Sequence, residues 1–193
     1  MIDSEKTDWL EGRVLLTNTQ IYISLPPKVR IRYVGDTPES RFFQEKDAEG
    51  QVRYNKNTEL TRLEFTIDYK TFPQNPAQAV FIPGHEEGHI CELTGNLRTL
   101  YRAAKNLGLE FDVLTETAAT ESDRQTLAFL DAYPSELDQL YVREFGERED
   151  TADIAGLITL IRNKADPQLI RKITNAIKQP SFFRKVPKIL EQL

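Results

Sequence analysis

Two stretches of strict period-two alternation constrain this chain more than any other feature. In Lys28-Val-Arg-Ile-Arg-Tyr-Val34, Val29, Ile31 and Tyr33 fall on one side and Lys28, Arg30 and Arg32 on the other. In Thr61-Arg-Leu-Glu-Phe-Thr-Ile-Asp-Tyr69, Leu63, Phe65, Ile67 and Tyr69 alternate with Arg62, Glu64, Thr66 and Asp68. Successive side chains of a strand point to opposite faces, so each stretch predicts a strand with one apolar and one charged face.

Around these two, Val14 to Leu16 and Gln20 to Leu25 also read as strands, and Arg41 to Lys46 with Gln51 to Tyr54 as a hairpin about Asp47-Ala-Glu-Gly50. Asn96 to Leu107 predicts a helix, because Leu97, Leu100, Tyr101, Ala104 and Leu107 form one stripe and Gly108 is a terminator. Leu109 to Leu114 reads as a returning strand. After Thr115 the period becomes 3.6. Ser122, Ser135 and Thr151 are expected N-caps, Gly146 ends the helix begun after Ser135, Asp166-Pro167 opens another helix, and a short one starts near Pro187. The expected fold class is α+β. A mostly antiparallel N-terminal sheet, closed or half-barrel, with one helix would precede a C-terminal helical bundle. The boundaries are 1–12 for a lead-in, 13–116 for the β-rich domain and 117–193 for the helical region.

Composition adds bounds. With 39% hydrophobic and 28% charged residues and a net charge of −5, the chain has no basic excess that would mark it as a nucleic-acid or membrane binder. The charge is unevenly placed: Glu110 to Asp153 holds 13 acids and 3 arginines, whereas Arg162 to Leu193 holds 8 bases and 2 acids. Complementary helix faces account for this most simply, and a polyanion-binding tail is the alternative. The single cysteine, Cys91, excludes an internal disulfide and fits a reducing compartment. No signal-peptide pattern and no membrane-length apolar run occur, so a cytoplasmic location is expected.

Both histidines lie in His85-Glu-Glu-Gly-His89. This spelling satisfies H-E-x-x-H, in which two histidines one helical turn apart bind zinc and the glutamate activates water. That chemistry needs a helix. Pro83-Gly84 and Gly88 argue against one, a helical glycine costing about 1 kcal/mol relative to alanine. The favoured expectation is a hairpin with Glu86-Glu87-Gly88 as its loop, entered by a strand Val80-Phe-Ile82, leaving His85 and His89 as an exposed cross-strand pair. No third ligand stands out. A zinc peptidase at His85, Glu86 and His89 is the alternative.

The charged strand faces invite a second chemistry. Lys28, Arg30, Arg32, Lys46 and Arg62 can share one side of a curved sheet; if it closes, they converge on a phosphate-bearing ligand. Thr19 to Ser24, Lys28 to Asp36, Phe43 to Lys46 and Thr61 to Phe65 follow in the order seen in the triphosphate-tunnel superfamily. Phe81 to His85, Gly88, Glu92 to Gly95 and Leu109 to Asp112 are similar to its later hairpin and closing strand, so the resemblance runs over about residues 19–112. It implies that Arg30, Arg32, Lys46 and Arg62 grip phosphates and that Glu64, Glu110 and Asp112 hold Mg or Mn, with zinc not expected. The implied activity is metal-dependent hydrolysis or transfer on triphosphates, or a degenerate domain that binds without hydrolysing.

The leading expectation is thus an intracellular protein holding a phosphate-rich polyanion (nucleotide, polyphosphate or RNA) on its sheet. Its helical region 117–193 would meet a protein partner. The first alternative is a non-catalytic accessory subunit of a larger assembly. The second is the zinc metallopeptidase.

Overall fold

The computed structural model describes residues 75–93, 95–132, 149–179 and 185–193, together with strand backbone at 10–11, 14–16, 19–21, 29–35, 50–54 and 63–69. Among the described residues six helices pack together: α1 (Pro76–Leu93), α2 (Leu97–Asn106), α3 (Glu116–Ala132), α4 (Glu149–Arg162), α5 (Pro167–Ile177) and α6 (Lys185–Leu190). Upstream, the backbone forms short ladders: β1 (Leu10–Glu11), β4 (Val29–Gly35), β6 (Leu63–Tyr69) and β5 (Gly50–Tyr54) in that spatial order, and β2 (Val14–Leu16) with β3 (Thr19–Ile21). The long strands β4 and β6 run parallel, Val29 facing Leu63 and Tyr33 facing Ile67. Ile67 is fully buried and joins the helical core.

These findings overturn the expected α+β architecture. The core is helical, and every regular element among the described residues after Tyr69 is a helix. Where a strand at Val80 to Ile82 and a hairpin at Glu86 to Gly88 were expected, α1 runs through without interruption. Leu109 to Leu114 is not a strand either, ending instead in a 3₁₀ turn over Asp112–Leu114. No closed sheet occurs among the described residues, since β1 and β5 end the four-stranded order without pairing to each other.

The physical reason lies in the pairing of α1 with α4, the central contact of the body. An ideal Cβ on Gly84 would collide with the Thr159 side chain, and one on Gly88 would sit 2.5 Å from the Ala152 Cα. On the facing helix, a Cβ at Gly156 would meet the Phe81 ring at 2.6 Å. The glycines that argue locally against a helix are the residues that let two helices approach to backbone contact. Phe81, Ile90, Ile154, Leu157 and Ile158 are fully buried around this seam. Each contributes about 1.5–3 kcal/mol on leaving water, more than the local cost of a glycine. An apolar run as short as Val80 to Ile82 has no period that separates strand from buried helix.

Caps set the ends. Asn75 Oδ1 accepts from the Gln78 N–H at 3.1 Å at the start of α1, while its Nδ2 donates to the Leu190 carbonyl at 2.8 Å and so ties α6 to α1. The α2 stripe is as expected, with Leu97, Leu100 and Ala104 buried and Gly108 at φ +70° past its end. Asp166 caps α5 through the Gln168 N–H at 2.8 Å, with Pro167 in the first turn. Two expected caps are displaced. Ser122 lies buried inside α3, which is opened by Thr115 accepting from the Ala118 N–H, and Thr151 is the third residue of α4. Ser135 and Gly146 lie outside the described residues. No described helix is long and apolar enough to cross a membrane.

Candidate metal centre

Once α1 is a helix, His85 and His89 stand one turn apart on a common face, their ring centroids 5.0 Å apart and nearly perpendicular. Because α4 crosses at Gly88, its first turn comes to lie over that face. Glu149, the first residue of α4, brings Oε2 to 3.0 Å from His85 Nε2 and 3.9 Å from His89 Nε2. One donor atom from each of the three residues lies within 4.8 Å of the others, the spacing of a metal-ion site.

The other ring nitrogens face different carboxylates. His85 Nδ1 and Asp153 Oδ1, one turn along α4 from Glu149, form a 2.9 Å hydrogen bond, and Glu92 Oε2 lies 3.9 Å from His89 Nδ1. On His85 the Asp153 carboxylate favours the tautomer whose Nε2 lone pair is available to a cation, the usual outer support of metal-binding imidazoles, whereas the Glu92 carboxylate stands beyond hydrogen-bond distance from His89 Nδ1. The histidine side chains are 14% and 12% exposed, whereas Glu149 is 57% exposed, so the centre opens to solvent on the Glu149 side. That opening suits a fourth ligand position for water or substrate.

The local field favours positive charge. Burial alone would lower the His85 pKa, but hydrogen bonds to Asp153 and Glu149 and the nearby Asp153 and Glu86 carboxylates outweigh it. The result lies well above the ordinary imidazole value. Asp150 is raised by burial and by Asp153 and Glu149, which shows how closely carboxylates are gathered here. Two imidazoles and a carboxylate suit zinc better than magnesium or calcium, which take all-oxygen sets. Glu86, next to the first ligand in sequence, is 6% exposed. Burial, with Glu87, Glu92 and Asp123 nearby, pushes the Cys91 thiol far above its usual range, so Cys91 acts as a buried hydrophobe and not as a nucleophile.

The hairpin expectation for His85 and His89 is therefore corrected, and with it the exposed cross-strand pair. Glu149 and Asp153 are the residues that sequence reasoning missed. Their signal was a pair of acids four apart ahead of the apolar run Ile154 to Ile161. Of the residues expected to grip phosphate, Lys28, Lys46 and Arg62 lie outside the described residues. Arg30, Arg32 and Glu64 are placed by strand backbone alone. Glu110 and Asp112 are exposed, Glu110 in the link after α2 and Asp112 at the start of the 3₁₀ turn, instead of on a closing strand. Comparison of the chain with protein-family models, with curated proteins and with solved structures finds no match.

Proposed function

We propose that this protein is a zinc-dependent hydrolase of peptide bonds, with His85, His89 and Glu149 holding the metal and Glu86 acting as general base. The observation that carries this reading is the convergence of both Nε2 atoms on one Glu149 oxygen while Asp153 and Glu92 face the Nδ1 atoms. A helix bearing H-E-x-x-H needs one further ligand from elsewhere in the fold, and the nearness of Glu149 on α4 supports it in that role.

Bound zinc would lower the pKa of its water to about 7 and polarise the substrate carbonyl. Glu86 would be the base that takes the proton given up by a water attacking the carbonyl carbon, and the acid that returns it to the amine nitrogen as the C–N bond breaks, leaving a carboxylic acid and an amine. Asp153 acts on His85 alone and is a positioning residue.

The test is digestion of a proteome-derived peptide library, with new termini read by mass spectrometry. Zinc-loaded protein should generate new termini, a chelator such as 1,10-phenanthroline should abolish them, and equimolar zinc should restore them. A zinc-loaded chain that produces no termini beyond those of the His89→Ala chain would refute the peptidase reading.

A further inference from the structure

We infer that the cavity between α5 and α6 is an anion-binding site for a small ligand carrying several phosphate groups, separate from the metal centre. The cavity holds about 400 Å³ and is lined by Lys172, Asn175, Ala176 and Gln179 of the α5 end and Lys185, Lys188 and Ile189 of the α6 side. That volume falls in the range of small-molecule sites. It is well beyond what one water or a single phosphate would fill.

Its chemistry is one-sided. Three lysines, an asparagine and a glutamine stand among its lining residues, much of whose exposed wall is aliphatic side chain, and no acidic residue is among the described ones. All of the lining residues come from the basic end of the chain, and one of them, Lys185, also lies close enough to Asp150 of α4 to favour its charged form. Lys185 is oriented by its own neighbours: its Nζ donates to the Gln179 carbonyl at 3.4 Å and to Gln179 Oε1 at 3.3 Å. These long contacts tie the ammonium to Gln179, itself a lining residue, and use two of its three donors. Lysine ammonium groups act on phosphate as point charges, so three lysines around one open groove favour a ligand with charge spread over several phosphates. Asn175 and Gln179 supply amide donors to the remaining oxygens. The ends of the helices that frame the cavity are fixed independently of any ligand. The Asp166 cap opens α5, and the Asn75 to Leu190 hydrogen bond anchors the end of α6.

The experiment is titration of the full chain with inorganic tripolyphosphate by calorimetry, at low and at physiological salt. The comparison is with a chain carrying Lys172→Gln, Lys185→Gln and Lys188→Gln, whose folding is checked by circular dichroism. Because tripolyphosphate also chelates zinc, the titration is repeated on the His89→Ala chain. Saturable one-to-one binding that weakens at least tenfold in the triple glutamine chain, weakens with salt, and persists in His89→Ala supports the site. Equal affinity in the triple glutamine chain, loss of binding in His89→Ala, or no saturable binding at millimolar tripolyphosphate would each overturn it. If the triple variant fails to fold, the single variant Lys188→Glu, at an exposed position of α6, decides the matter by the same affinity criterion. Failure here leaves the metal centre untouched, since none of the lining residues is a proposed ligand.

Discussion

Replacing Glu86 with glutamine is expected to leave zinc bound at one ion per chain while lowering the rate of peptide hydrolysis by about 10²–10⁴-fold, the contribution of a positioned general base. The two side chains are nearly isosteric, and Glu86 lies on the inner side of α1 at 6% exposure, so the replacement disturbs packing little. The amide cannot take a proton from a metal-bound water. A Glu86→Gln chain that keeps zinc and also keeps hydrolysis within threefold of the unaltered protein would remove Glu86 from the mechanism. Loss of zinc together with activity would make Glu86 a support of the site and not its base. The two readouts must therefore be taken on the same preparation.

The second large effect concerns Gly88, and it has an unusual sign. Intrinsic helix propensity says that Gly88→Ala inside α1 should stabilise by about 1 kcal/mol. The crossing of α1 and α4 says the opposite, because the new methyl carbon would stand 2.5 Å from the Ala152 Cα and 3.1 Å from the Thr151 carbonyl oxygen. Those neighbours are backbone, so the helices themselves must part. Overpacking of this kind costs about 1–3 kcal/mol, and the net change is expected to be a loss. Parting the helices also carries Glu149, three residues before Ala152, away from both histidines. Urea denaturation should show a lower midpoint with an unchanged slope, and zinc affinity should fall alongside. A Gly88→Ala chain more stable than the original would mean that the seam is looser than described.

Gly88 also shows what could be read from the sequence and what could not. The letters of the metal motif were visible at once, and the two carboxyl-side acids Glu149 and Asp153 stood in plain view at helical spacing. What local reasoning could not supply was the partner of α1. A glycine counts against a helix until another backbone is known to need that space, and this need is set by residues far down the chain at Ala152, Thr159 and Gly156. The α2 stripe and the Asp166-Pro167 start of α5 were legible because their signals are contained within one turn or one face. Val80 to Ile82 misled because α1 is buried widely around its circumference, with Phe81, Ile82, Ile90 and Cys91 alongside Glu87 and Glu92 in the interior. Such a helix lacks the single apolar stripe by which helices are recognised.

The arrangement around His85 has an alternative description that uses no metal. An imidazolium donating from Nδ1 to Asp153 and from Nε2 to Glu149 would satisfy the same distances. The raised His85 pKa fits that state as well as it fits a site awaiting a cation. Activity assays alone do not separate the two, because an unsuitable substrate would silence either. Metal content does.

The decisive measurement is therefore elemental analysis of the untagged chain, equilibrated with a small excess of zinc and then freed of loosely held ions by gel filtration. The metal centre requires close to one zinc per chain, falling below about a tenth in His89→Ala while the circular dichroism of the helices is retained. Zinc in the unaltered protein no higher than in His89→Ala would contradict it and leave His85 as a buried ion pair.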